Sequence, residues 1–272
     1  MVRNSKEMQK ILLAVLLATL VSGIAGFNLA NYIELQQTEN ENERVRKAVS
    51  FLVDMQFNPS LNLTREGTSG NRTSTYWLLS DNLLASKALW PYNASVAARI
   101  WNRLMEYGYT RDFLHEALFG QSIPTPPSIA TIYTVESTSL YTIKLEYHNS
   151  SSLINDYQEY GDLLVYVALS SEWLGNRQNA VGNFTKAQAM WDGKGIRDKA
   201  FSDEYQTYKL ALLLYASKIL TIPLQQEEEM ENLMWAMQRS DGGLWTGYDA
   251  GFKPSSEDAN TETTALVILA VS

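Results

Sequence analysis

The chain has 272 residues, 45% of them apolar, a formal net charge of −8, no cysteine and two histidines, His115 and His148. These counts exclude a disulfide scaffold, a thiolate zinc site and a cysteine nucleophile. An acidic balance with no Lys/Arg cluster excludes nucleic acid as an expected partner.

Arg3, Lys6 and Lys10 precede an apolar run, 11–27, broken only by Thr19, Ser22, Gly23 and Gly26, and the chain then turns acidic at Glu34, Glu39, Glu41 and Glu43. That asymmetry predicts a cytoplasmic start and an extracellular remainder. Residues 1–30 are read as a transmembrane anchor, or alternatively as a signal segment cleaved after Gly23-Ile24-Ala25, leaving a secreted protein. Either way, residues 31–272 form the extracytoplasmic domain. Five N-x-Ser/Thr sequons, at Asn62, Asn71, Asn93, Asn149 and Asn183, are glycosylation candidates consistent with export.

From about residue 43 the apolar pattern is mostly helical, and the helices alternate between two types. The first is amphipathic: Val45, Ala48, Val49, Leu52 and Val53, then Ala97, Ile100, Trp101 and Leu104, then a helix over about 176–190, then Met230, Leu233, Met234 and Met237. The second is apolar on nearly every face: 163–169 (LLVYVAL), 210–216 (LALLLYA), 265–271 (ALVILAV) and, more weakly, 83–89 (LLASKAL). A helix apolar all round must be buried all round, so the second set forms an inner layer wrapped by the first. About four outer-inner hairpins result. Inner helices reach the next outer ones through short links (90–93, 172–175, 221–224), whereas outer helices reach inner ones through long segments (57–80, 108–159, 191–202, 239–260). The long segments therefore gather at one end, where binding and catalysis usually reside.

One long segment carries a β insertion over about 109–150. After Pro124, Pro126 and Pro127, strands are predicted at 129–135 and 140–147 with a turn at 136–139. Tyr141, Ile143, Leu145 and Tyr147 share a face expected to pack on the helices, and a lid over the open end is the functional alternative. His115 and His148 lie in or beside this insertion, apart from the repeated helix starts. His115 sits in HEALF, which lacks the second histidine of HExxH, and no GxSxG occurs, so no metal site and no serine triad are expected.

The outer helices end in related text (QFNPSLNL at 56–63, MWDGKGI at 190–196, QRSDGGLW at 238–245), and the inner ones begin with polar residues at 80–82, 160–162, 205–209 and 260–262. A recurring helix, turn and polar helix start marks a repeat. The segment 238–245 resembles the QxxDGGxW turns of α/α-toroid proteins, which include terpenoid cyclases, protein prenyltransferases and, more loosely, six-hairpin glycosidases and uronate lyases or epimerases. The region beyond residue 30 also resembles uncharacterised, membrane-anchored archaeal proteins that share YWLLSDNLLASKAL, MWDGKGIRDKAF, YQTYKLAL and NTETTAL. These resemblances imply a mainly α fold, an α/α toroid of about four helical hairpins with a β-hairpin insertion, on an archaeal cell surface. Four hairpins are fewer than the usual six or seven, so an incomplete ring, a dimer and a partial solenoid all remain compatible. No DxDD or DDxxD cluster and no Asp/Cys/His zinc set is present, so only the fold carries over.

Polar helix starts should meet the long loops at the open end. Asp81, Asp162, Asp192 and Glu262 are the acid/base candidates there, and Asn82, Trp191, Tyr205, Tyr208, Lys209, Trp245 and Tyr248 the substrate-binding ones. Two carboxylates suffice for glycoside hydrolysis, and aromatic faces stack on sugar rings. No cofactor or metal is implied. The structural alternatives are specific: Asp81, Asp162 and Asn260 as helix caps or first-turn acids, Asp192 and Asp241 in glycine turns, and Lys209 in a buried ion pair with Asp162 or Glu262. Three functions follow: a glycan hydrolase, lyase or epimerase; a non-catalytic module binding glycan or a protein partner; and a lipid-handling relative of the prenyl enzymes.

Overall fold

The computed structural model describes residues 41–272 except 70–71, 74, 110–113, 201–203 and 256–257, with backbone alone at 69, 72–73 and 148–151. The chain divides into two compact units, 1–45 and 46–272. In the first, residues 41–45 are helical and the predicted membrane segment lies outside the described residues. No helix among the described residues is long and apolar enough to cross a membrane. All that follows concerns the second unit.

The expectation of a mainly α chain needs correcting. About half of the described chain is helical, and the long segments between helices contain ten strands, so the fold mixes helices and strands. Most of these strands are two or three residues long. A pairing that short leaves no period-two pattern to read.

The helices are α1 (46–50, continuing as a wider turn through Phe51–Gln56), α2 (Leu79–Leu89), α3 (Ala94–Glu106), α4 (Gly161–Trp173), α5 (Arg177–Gln188), α6 (Thr207–Leu220), α7 (Glu227–Ala236) and α8 (Thr261–Val271). The apolar strings build an inner set, α2, α4, α6 and α8, in which Leu84, Leu89, Leu164, Val167, Leu210, Leu212, Val267 and Ile268 are wholly buried. Each such side chain stabilises the fold by about 1.5–3 kcal/mol through loss of contact with water. The inner helices pack side by side in the order α2, α8, α6, α4. Outside them, α3 packs on α2, α5 on α4 and α7 on α6, while Phe51–Gln56 packs on α8. α2, α4 and α6 thus each take as their main outer partner the helix that follows them, because a short link forces antiparallel neighbours, while α8, the last helix, takes Phe51–Gln56.

Three inner helices are entered directly from a short strand: β5 (Tyr76–Leu78) leads into α2, β8 (Tyr205–Gln206) into α6 and β10 (Asp258–Asn260) into α8. The fourth, α4, follows the 3-10 turn Tyr157–Glu159. The residue before each helix, Leu78, Tyr160, Gln206 or Asn260, is extended, and only Asn260 caps with its side chain, accepting from the Thr263 amide at 2.8 Å. The residues before α2, α4 and α6 supply no side-chain cap, and at α4 the Asp198 carboxylate accepts from the Gly161 amide instead.

The remaining strands pair within the long segments. β1 (Phe57–Asn58) pairs with β2 (Leu63–Thr64), β3 (Gly67–Ser69) lies between β4 (Arg72–Thr73) and β10, and β8 pairs with β9 (Gly247–Tyr248), all antiparallel. The β insertion is a hairpin of β6 (Ser128–Ser137) and β7 (Thr142–Leu153), with β5 added parallel to β7. Its turn falls at 138–141, later than expected, because Glu136 belongs to the ladder opposite Ile143. The expected packed face is only partly realised: Ile143 is buried, but Tyr147 is about half exposed and Ile132, Tyr133 and Val135 face solvent.

The glycine turn at 241–243 behaves as its sequence implies. Gly242 has φ 95°, and a β-carbon there would lie 2.1 Å from the Lys47 carbonyl oxygen. Gly242→Ala should therefore cost about 3 kcal/mol in urea unfolding, combining left-handed strain with a backbone clash. A cost below about 1 kcal/mol would mean that the turn relaxes freely.

Candidate active site

The starts of α2, α4, α6 and α8 converge on one pocket of about 130 Å³. Asp81 and Ser80 reach it from α2, Asp162 and Tyr166 from α4, Tyr208 from α6 and Glu262 from α8. Two further groups close it: His115, from the 3-10 turn His115–Phe119 packed on α4, and Glu146, from β7. Four of the residues singled out in the sequence, Asp81, Asp162, Tyr208 and Glu262, therefore share one cavity.

Their environments differ. Asp81 is 3% exposed and accepts no hydrogen bond from the described residues. Burial, followed by the negative charges of Glu262, Glu146 and Glu66, pushes its carboxyl well above the usual carboxylate range, with His115 pulling the other way. Asp162 accepts a 2.6 Å hydrogen bond from the Tyr208 hydroxyl and a 2.9 Å bond from the Leu163 amide. Burial and the Asp162 charge raise the Tyr208 phenol well above its ordinary value, so it remains a proton donor to Asp162. Glu262 is the open carboxylate, with 31% of its side chain exposed and Oε1 3.6 Å from His115 Nε2. The Ser80 hydroxyl is buried at the same wall with no hydrogen-bond partner among the described residues. A buried acid with a raised pKa, an open carboxylate and an imidazole lining one cavity are a set suited to proton transfer.

His115 corrects the expectation that both histidines stand apart from the helix starts. The 3-10 turn that folds HEALF against α4 carries the imidazole back to them. His148 lies in β7, and its side chain is outside the described residues. No group of three or more His, Asp or Glu among the described residues is arranged to hold a metal ion.

The other candidates lie elsewhere. Lys209 pairs with Asp198, not with Asp162 or Glu262, and both partners are almost wholly buried. The same Asp198 oxygen accepts from the Gly161 amide at 2.8 Å. Asp192 belongs to a separate cluster: it accepts from the Tyr205 hydroxyl at 2.7 Å, from Arg197 Nε at 3.0 Å and from the Lys194 amide at 3.0 Å. Burial opposes its ionisation, but those bonds outweigh it and hold the carboxyl below its ordinary value. Tyr248 stacks on Tyr205 at 5.5 Å and donates to the Lys194 carbonyl, so both rings are walls of that cluster. Asn82 is buried, its amide bonded to Thr64 and to the Leu78 carbonyl, and it ties β2 to α2. Trp191 bridges to Ile196 and Trp245 to Ala259, and neither lines the pocket.

Of the sequons, Asn183 is 4% exposed with its amide nitrogen donating twice to Asn179, so a glycan there would displace both bonds and the packing. Asn93 caps α3, and Asn62 accepts from Arg99. Asn71 and the Asn149 side chain lie outside the described residues. No family model matches the chain, and neither the curated proteins nor the solved structures contain a match.

Proposed function

We propose that residues 46–272 are an extracytoplasmic domain of incomplete α/α-toroid type whose carboxylate pocket performs acid/base chemistry on a glycan. The chain is held at the membrane by its N-terminal segment. The observation that carries this reading is the pairing of unlike carboxyl groups in one cavity: Asp81 is buried and raised, while Glu262 is open to water. Asp81 is the proton donor, Glu262 the base beside His115, and Asp162, oriented by Tyr208, binds hydroxyl groups. At about 130 Å³ the pocket is below the roughly 300–1,000 Å³ of typical ligand sites, which suits a single terminal sugar and not an internal stretch of chain. Hydrolysis, elimination and epimerisation all use such an acid/base pair.

A second reading is a non-catalytic surface module that binds a glycan or a protein partner. Asp81, Asp162 and Glu262 each stand in the first turn of a helix, where the helix dipole alone favours an acid.

The test is a panel of end-labelled oligosaccharides, incubated with the full-length protein and with Glu262→Gln, with product scored by chromatography. Turnover of at least one glycan, reduced about 10²- to 10⁴-fold in the variant, is expected. Absence of turnover across the panel, or turnover indifferent to Glu262→Gln, would sink the catalytic reading in favour of the binding module.

A further inference from the structure

A second, larger cavity of about 470 Å³ lies at the other end of the inner helices. Its walls include Trp90, Trp101, Phe119, Tyr215 and Leu269, and Lys87 stands at its edge. Lys87 is six residues beyond Asp81 on α2, about 9 Å along the axis, so the two cavities occupy opposite ends of the same helix. The volume lies within the ordinary range for small-molecule sites.

The polar groups of the lining are unequally committed. The Ser86 hydroxyl donates to the Ala97 carbonyl and the Tyr215 hydroxyl to the Leu118 carbonyl. Lys87 is the one charged side chain of the lining, and it makes no ion pair among the described residues. Its ammonium sits 5.0 Å from the Trp101 ring centre and 5.4 Å from that of Phe119. The two rings hold the charge at the cavity without neutralising it, since a ring face offers a quadrupole and not a counter-ion. Indole, phenyl and phenol walls offer stacking surface for a flat apolar body. A single cation beside such walls selects for an anion of that body type and against the neutral equivalent.

We propose that this cavity is a binding site for a planar apolar molecule carrying one carboxylate, with Lys87 pairing the carboxylate and Trp101 and Phe119 stacking on the apolar body. The site is independent of the acid/base pocket and of the function assigned to it.

Isothermal titration of the full-length protein with 2-naphthoate and with the neutral 2-naphthalenemethanol tests this, with tryptophan fluorescence as a second readout. The naphthoate should bind at one site, roughly tenfold more tightly than the alcohol, and Lys87→Gln should erase that preference. Trp101→Ala should weaken both ligands, and Glu262→Gln should change neither. Lys87 is exposed, so its variant keeps the native circular dichroism. Equal affinity for the two ligands, no saturable binding of the naphthoate, or a preference that survives Lys87→Gln overturns the proposal.

Discussion

Asp81→Asn is expected to stabilise the protein at neutral pH while removing the turnover proposed for the pocket. The carboxylate is buried, accepts no hydrogen bond from the described residues and faces Glu262 and Glu146. An uncharged amide of the same shape relieves that cost, and a gain of about 1 kcal/mol would raise the melting temperature by about 2–4 °C in a domain of this size. The pH dependence has a definite sign. An acid whose folded pKa lies above its unfolded value contributes stability below the unfolded pKa, and that contribution is lost as pH rises through the folded value. Thermal unfolding of the native protein should therefore weaken from the ordinary carboxylate range upward, relative to Asp81→Asn measured in parallel. Taking the difference between the two removes groups such as Asp192, whose lowered pKa acts in the opposite sense. A variant less stable than the native protein at neutral pH would make Asp81 a structural acceptor and not a proton donor.

The second large effect is on stability alone. Lys209 and Asp198 form an ion pair with 2% and 1% of their side chains exposed. Removing one partner leaves an uncompensated buried charge, which costs about 3–5 kcal/mol, whereas a buried pair itself contributes little beyond what apolar residues of similar volume would. Lys209→Met should thus lower the melting temperature by on the order of 10 °C, and Lys209→Met combined with Asp198→Leu should recover most of the loss. Chemical denaturation of the two single variants and the double variant forms the cycle. A loss below about 1 kcal/mol for Lys209→Met would show that water reaches the pair.

How much of this was legible in the sequence depends on the range of the interaction. The inner helices were readable because burial on every face requires apolar residues on every face, as in 163–169 and 265–271. The convergence of Asp81, Asp162 and Glu262 followed from connection lengths, since short links at one end place the helix starts together at the other. Lys209 was recognisable as a residue needing a partner, but Asp198 was not identifiable as that partner, because a loop aspartate carries no periodic signal. His115 and Glu146 were missed for related reasons. A five-residue 3-10 turn is too short to show a face, and a twisted ribbon changes which side it offers along its length, so alternation in 142–147 could not tell where Glu146 would point. Asp192, Tyr205 and Tyr248 were expected at the same open end as Asp81 and Glu262, but they neighbour one another and do not line that pocket.

The parallel pairing of β5 with β7 constrains any motion of the β insertion. Tyr76, Trp77 and Leu78 are bonded to 142–144 of the hairpin, and α2 begins at the very next residue, two positions before Asp81. Glu146 lies two residues past that junction on the other strand. The turn end of the hairpin is therefore the bracket between two walls of the cavity, and the ribbon runs on from it toward its open end at Ser128 and Leu153. Excision of the whole hairpin would thus unseat the first turn of α2 and not merely uncover the pocket.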